Sequence, residues 1–238
     1  MQGSQVADLD GPLSVVGGSL GSFNVNIPAA PAPTVTSVVI DDGNGATVNG
    51  VVATQQRSMI RRMIVTFSEA VTFAGGNVAA AFTLARNNAN SNPSLPGPNG
   101  NVTLTALQSG SSVTITFSGA GFVDGSGSLV DGRYDLTIDA SKVSGVGGQL
   151  DGNGDLTGGD NYTNLSNPFP AAPAAGSIFR LFGDANGDGI VNNAGGNFDF
   201  TKFRASFGTS DPFFNFDNIG LVAQPDFNAF RARFGFAP

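Results

Sequence analysis

From Thr34 onward apolar and polar residues alternate. In "MIVTFSEAVTF" Met63, Val65 and Phe67 interleave with Ile64, Thr66 and Ser68, and in "SVTITF" Val113, Ile115 and Phe117 interleave with Thr114, Thr116 and Ser118. A period of two puts one set on a buried face and the other in water. The runs "TVTSVVI", "AAFTLA", "NVTLTAL" and "GRYDLTID" behave alike, and each is bounded by the Gly, Asn or Asp of a turn. Their number and spacing predict a mainly β fold, an immunoglobulin-like β-sandwich over residues 34–166. Strand order does not follow from the pattern. The polar, Pro-containing stretch 87–100, "NNANSNPSLPGPNG", is expected to be a long exposed loop without a site.

The period changes after a Pro/Ala stretch, "NPFPAAPAAG", residues 167–176, which predicts a linker; a similar run, "PAAPAP", closes an extended N-terminal segment, residues 1–33. Within residues 177–238, Phe200, Phe203 and Phe207 fall at i, i+3, i+7, and so do Phe227, Phe230 and Phe234. That spacing predicts two short amphipathic helices. Helices so short are unstable alone, so the two Phe stripes are expected to pack on each other as a core. Asp199 and Asp226, at their starts, suit N-capping. The helices repeat at an offset of 27 and the segments before them at 31, which leaves four extra residues in the first unit, assigned to "GGNF", 195–198.

Those upstream segments carry the chemistry. In "GDANGDGIVN" Asp184, Asn186 and Asp188 alternate, Gly189 follows, and Asn192 lies three residues further on. These match positions 1, 3, 5, 6 and 9 of a calcium loop, with the Ile190 carbonyl at position 7 and Asp199 as the displaced closing carboxylate. Val191 is expected to point inward and pair with the second loop. That loop runs from Asn215 through Asp217 and the Leu221 carbonyl to Asp226, with correct length but Ile219 and Ala223 where oxygens are needed. A third oxygen-rich stretch, "DGNGDLTGGD", offers Asp151, Asn153, Asp155 and Asp160, and reads equally as a Gly-rich turn.

The duplicated loop–helix pattern over Phe179–Phe236 resembles the type I dockerin domains of large bacterial extracellular proteins. The stretches 56–73 and 131–143 resemble the immunoglobulin-like modules that precede such units. The resemblance implies a calcium-stabilised helix pair that docks onto a cohesin-like partner or a neighbouring domain of the parent protein, outside the cell or on the bacterial surface. The damaged second loop puts two full calcium sites in question.

Composition narrows the functions. Of 18 acidic residues 17 are Asp, against 11 basic, and the net charge of −7 disfavours nucleic acid as a partner. Without Cys or His there is no zinc site, thiol chemistry or His-based triad. No apolar run is long enough to span a membrane. The expected function is a non-catalytic, calcium-stabilised structural or binding module of adhesion type. The alternative is an accessory part of a secreted glycosidase, for which Asp131, Asp135 and Asp139 are the nearest acids to weigh. Glu69 and Lys142 raise a further idea, an intramolecular Lys–Asn crosslink. The modular order predicts that calcium removal loosens residues 176–238 and leaves the sandwich folded.

Overall fold

The computed structural model describes residues 28–43, 45, 47–194 and 199–238, so most of the N-terminal segment 1–33 and all of the expected insertion 195–198 lie outside the described residues. The strands are β1 (Val35–Asp41), β2 (Thr47–Val48), β3 (Val51–Val52), β4 (Arg62–Phe67), β5 (Thr72–Phe73), β6 (Phe82–Arg86), β7 (Gly100–Asn101), β8 (Thr103–Ser109), β9 (Ser112–Ser118), β10 (Gly132–Ile138), β11 (Val143–Gly145), β12 (Gly148–Gln149), β13 (Tyr162–Asn164) and β14 (Ile178–Arg180). Two helices follow, α1 (Asp199–Ser206) and α2 (Gln224–Arg231). The protein is mainly β.

One antiparallel sheet has the order β1-β4-β9-β8, another β13-β10-β6-β7. Alternation decides what lies between them. Met63, Val65 and Phe67 of β4 and Val113, Ile115 and Phe117 of β9 share a core with Leu84 of β6 and Tyr134, Leu136 and Ile138 of β10. Tyr134 is fully buried, and its hydroxyl avoids an unmet hydrogen bond by donating to the Val130 carbonyl at 2.7 Å.

The Pro/Ala stretch returns the chain to the strand it left. β13 pairs with β10 over Leu136–Ile138, and β14 pairs with the same strand over Gly132–Tyr134. Arg133, buried in β10, holds the intervening loop by donating from Nη1 to the Asn167 carbonyl (2.7 Å) and from Nη2 to the Ala171 carbonyl (2.5 Å), while its Nε donates to Pro238 O (2.9 Å).

A second core joins sheet loops to the helix pair. Val51, Ala53, Met59 and Leu95 pack with Leu181, Phe182, Val191, Phe203, Phe213, Phe214, Val222 and Phe230. The expectation of a simple exposed loop at 87–100 is therefore corrected: Ser91, Asn92 and Leu95 are buried, and Asn92 Nδ2 donates to the Ala237 carbonyl at 2.9 Å. A local polarity pattern cannot show that another segment covers the loop.

The two helices pack as their Phe spacing predicts, with the Phe203 and Phe230 rings 4.6 Å apart and Phe203 6.0 Å from Phe227. The stripes do not close completely, since Phe207 and Phe234 stay 50% and 47% exposed. Each lies past the last residue of its helix, Ser206 or Arg231.

Candidate metal sites

Loop one is built around the buried carboxylate of Asp184. Its Oδ1 accepts from Gly187 N (2.6 Å) and its Oδ2 from Gly189 N (2.9 Å). Asn186 Oδ1 accepts from Asp188 N, Asp188 Oδ1 from Ile190 N, and Asn186 Nδ2 donates to Asp188 Oδ2. Gly187 and Gly189 have φ of +77° and +81°, and a Cβ on Gly187 would lie 2.0 Å from the Gln55 carbonyl. Glycine is thus required by conformation and by the close approach of the sheet loop.

The four extra residues do not hold Asp199 away. Its Oδ1 accepts from Ala185 N at 2.8 Å and its Oδ2 from Asn192 N at 2.9 Å. Asn192 itself turns Oδ1 to the N–H of Ala194. Ile190 is 37% exposed beside this oxygen-rich loop.

Loop two repeats the closure. Asp226 Oδ1 accepts from Phe216 N (2.6 Å) and Oδ2 from Ala223 N (2.7 Å), which are the residues 31 beyond Ala185 and Asn192. Asp226 thus lies inside α2 and reaches back to Ala223 rather than serving as the N-cap. Val191 and Val222 are fully buried, but each pairs with the segment after the opposite helix: Val191 exchanges backbone bonds with Gly235 and Phe236, and Val222 with Gly208 and Thr209. The expected pairing of Val191 with loop two is corrected accordingly: each valine pairs with the chain that follows the other unit's helix. At its open end loop two differs, since Asn215 turns Nδ2 to the Gly220 carbonyl and accepts from Ile219 N, while Asp217 accepts from Ile219 N as Asn186 does from Asp188 N in loop one. Ile219 and Leu221 are exposed. Asp226→Ala should destabilise the protein by about 2 kcal/mol, because two backbone N–H groups lose a buried carboxylate acceptor. Asp217→Ala should stay within about 0.5 kcal/mol. Denaturant melts of the two variants measure the difference.

The third stretch has the hydrogen bonds of loop one at an offset of 33. Asp151 Oδ1 accepts from Gly154 N (2.7 Å) and Oδ2 from Leu156 N (2.9 Å); Asn153 Oδ1 accepts from Asp155 N, Asp155 Oδ1 from Thr157 N, and Asn153 Nδ2 donates to Asp155 Oδ2. Leu156 takes φ +75° at the place of Gly189, and Gly154 takes +78° at that of Gly187. Asp160 closes the loop from close by, bridging to Asp151 through the backbone. Asp151, Asp155 and Asp160 each offer an oxygen within 4.8 Å of the others, the one such acidic group among the described residues, and could hold a metal ion. Asp184, Asp188 and Asp199 do not converge so tightly.

Burial pushes the Asp184 carboxyl up to about 7, with the negative charge of Asp199 adding to the rise against the N–H groups of Gly189 and Gly187. Burial likewise lifts Asp199 to about 6, against the N–H groups of Asn192 and Ala185. Two buried carboxylates, Asp184 raised further by the charges of Asp199 and Asp188 and Asp199 by that of Asp188, in an all-oxygen loop, suit a hard cation.

The other acids are committed elsewhere. Asp131 pairs with Arg180 and Arg233, Asp135 accepts from Asn87 and Ser166, and Asp139 caps the turn at Ser141. Glu69 accepts from Val146 N, while Lys142 pairs with Asp139 and the Ala80 carbonyl, so the two residues of the crosslink idea hold separate partners. No helix among the described residues is long and apolar enough to cross a membrane. No protein-family model matches this chain, and comparisons with curated proteins and with solved structures return no significant match.

Proposed function

We propose that this chain is a calcium-stabilised, non-catalytic binding module of the bacterial cell exterior, an immunoglobulin-like sandwich joined to a dockerin-like helix pair. The carrying observation is the shared hydrogen-bond pattern of the 151–160 and 184–192 loops. Their ligands would be Asp151, Asn153, Asp155 and Asp160 in one, and Asp184, Asn186, Asp188, Asp199 and the Ile190 carbonyl in the other. Hard oxygens without nitrogen or sulfur suit calcium. Bound there, the ion would neutralise the acidic side chains that each loop gathers, of which Asp184 and Asp199 in loop one are buried. Loop two, with apolar residues at two ligand positions, contributes through folding rather than metal.

Calcium added to chelator-treated protein should raise Tm, by linkage worth about 2.7 kcal/mol at a hundredfold excess over Kd. Calorimetry should show weaker binding in Asp188→Ala and Asp155→Ala and unchanged binding in Asp217→Ala. A Tm indifferent to calcium well above the ~10⁻⁴ to 10⁻³ M range of extracellular modules would sink this reading.

The helix pair also offers a docking face. Phe200, Phe227 and Phe234 line one groove of ≈310 Å³, and Phe200, Phe207 and Phe227 line another of ≈270 Å³. Arg231 flanks the first and Arg204 the second, and these two make no ion pair among the described residues, whereas Arg62, Arg180 and Arg233 all do. Exposed aromatic rings beside unpaired cations fit a protein partner with an acidic surface. Photo-crosslinkers replacing Phe207 or Phe234, used on the native cell surface, should give adducts that diminish in Arg204→Ala/Arg231→Ala. Adducts indifferent to the arginines would contradict an acidic partner.

A further inference from the structure

A cleft of ≈170 Å³ lies between β1, the edge strand of its sheet, and the start of β14. Val38, Val39, Ile40 and Ile178 give it apolar walls, and Thr54 and Arg57 line it as well. Arg57 is held rigidly. Its Nη1 donates to the carbonyls of Thr54, Gln55 and Gln56 at 2.9–3.0 Å, and its guanidinium carbon lies 5.5 Å from the centre of the Phe179 ring.

The opposite edge of this guanidinium is unused. Arg57 Nε is the one buried side-chain nitrogen or oxygen, among the described residues, that has no hydrogen-bond partner, and Nη2 has no protein acceptor there either. Leaving a buried charged donor unmet is costly, so such a group is a marker for a ligand. Asp184, the anion whose charge Arg57 feels, has both oxygens committed to Gly187 and Gly189. The Nε–Nη2 edge is a planar two-donor fork, and its geometric complement is a carboxylate accepting two parallel bonds.

We propose that this cleft binds a carboxylate carried on a short apolar stem, with the Nε–Nη2 edge of Arg57 gripping both oxygens and Val39, Ile40 and Ile178 covering the stem. The carboxylate belongs either to a free small acid or to the C-terminus of a peptide. Both present the same chemistry to the fork, and the size of the cleft admits only the first few carbons.

The test follows the Arg57 Nε–H resonance in the full-length chain, assigned by its absence from the Arg57→Lys spectrum. Butyrate, an acetylated tripeptide ending in valine, and the amide of that tripeptide are titrated, with chloride and inorganic phosphate as controls. A saturable shift with butyrate or the free-acid peptide is expected, with no response to the amide. A free acid is the source if butyrate binds as tightly as the peptide, and a chain end if the peptide binds at least about tenfold tighter. Arg57→Lys keeps the charge but loses the fork, and the affinity read from backbone amides of Val39 and Ile178 should fall by about tenfold or more. Thr54→Phe, at an exposed position of the rim, should block binding with the fold intact, and serves if Arg57→Lys does not fold. No saturable shift with any carboxylate, or an equal response to chloride, overturns the proposal.

Discussion

Replacing Asp131 by alanine is expected to destabilise the whole chain by about 3–5 kcal/mol, in one transition. Asp131 is 2% exposed and accepts from Arg180 Nη1 (2.8 Å), Arg233 Nε (2.5 Å) and Phe182 N (2.7 Å). Arg180 is equally buried in β14, Arg233 follows α2, and Asp131 precedes β10, so this carboxylate ties the sheets to the helix pair. Burial alone would raise its pKa, but the two arginines and the Phe182 N–H outweigh it and hold the carboxyl below the usual range. A depressed pKa means stability present above the unfolded value and lost as pH falls through the folded one. Without Asp131, Arg180 keeps one carboxylate, Asp124 at 3.1 Å, with the Ser58 carbonyl at 2.7 Å and the flanking rings of Phe182 and Phe216. Denaturant melts followed by hydrogen exchange should show strands and helices losing protection together. Two separated transitions, or a loss below about 1 kcal/mol, would refute the role of this network.

Without metal, stability should fall as pH rises from about 4 to 7, and calcium should reverse that slope. Asp184 and Asp199 titrate near 7 and near 6 in the folded chain, against 3.8 for an ordinary aspartate. A raised carboxyl pKa means that the folded state binds the proton more tightly, so its contribution is complete below the unfolded value and is lost as pH passes the folded one. For a coupled buried pair the total is a few kcal/mol, on the scale of ~1.4 kcal/mol per pKa unit. Calcium takes the ionised form and releases the protons, so affinity and stability should climb together over the same interval. Tm measured from pH 4 to 8 with chelator and with calcium checks both arms. Asp184→Asn should flatten the metal-free profile and abolish most of the calcium response at this loop. Metal-free stability that rises between pH 5 and 7 would show that Asp184 and Asp199 are not held protonated.

The shared second core changes the expected consequence of calcium removal. The chain from Leu181 into loop one touches the segment between β3 and β4: Arg57 N donates to the Asp184 carbonyl, Leu181 N to the Arg57 carbonyl, and Gly183 N to Ser58 Oγ. Loosening residues 176–238 therefore exposes Val51, Ala53, Met59 and Leu95 as well. Protection should fall over residues 51–59 alongside the helices, in place of a selective loss in the C-terminal unit.

The sequence by itself determined what depends on period and spacing. Alternation placed Met63, Val65 and Phe67 on the buried face of β4, because neighbouring side chains of a strand must point to opposite faces. The spacing of the Phe stripes placed both helices, and the offset of 31 aligned the two loops before them; that the N–H groups at 185 and 192 meet Asp199, and those at 216 and 223 meet Asp226, came from the structure. Strands of two or three residues, such as β2, β3 and β14, are too short to show a period. Tertiary structure alone decided the rest. Leu156 concealed the likeness of the third loop to the first, since a leucine gives no local signal that it will take φ +75° where loop one has glycine. The long-range ties, Arg180 and Arg233 on Asp131 and Arg133 on the 167–171 carbonyls, join residues far apart in the chain. Arg57 reads in sequence as one of two basic residues before β4; only the fold shows that its Nε is buried without a partner beside a cleft between β1 and β14. Local pattern records which way a side chain faces, and the fold decides what it faces.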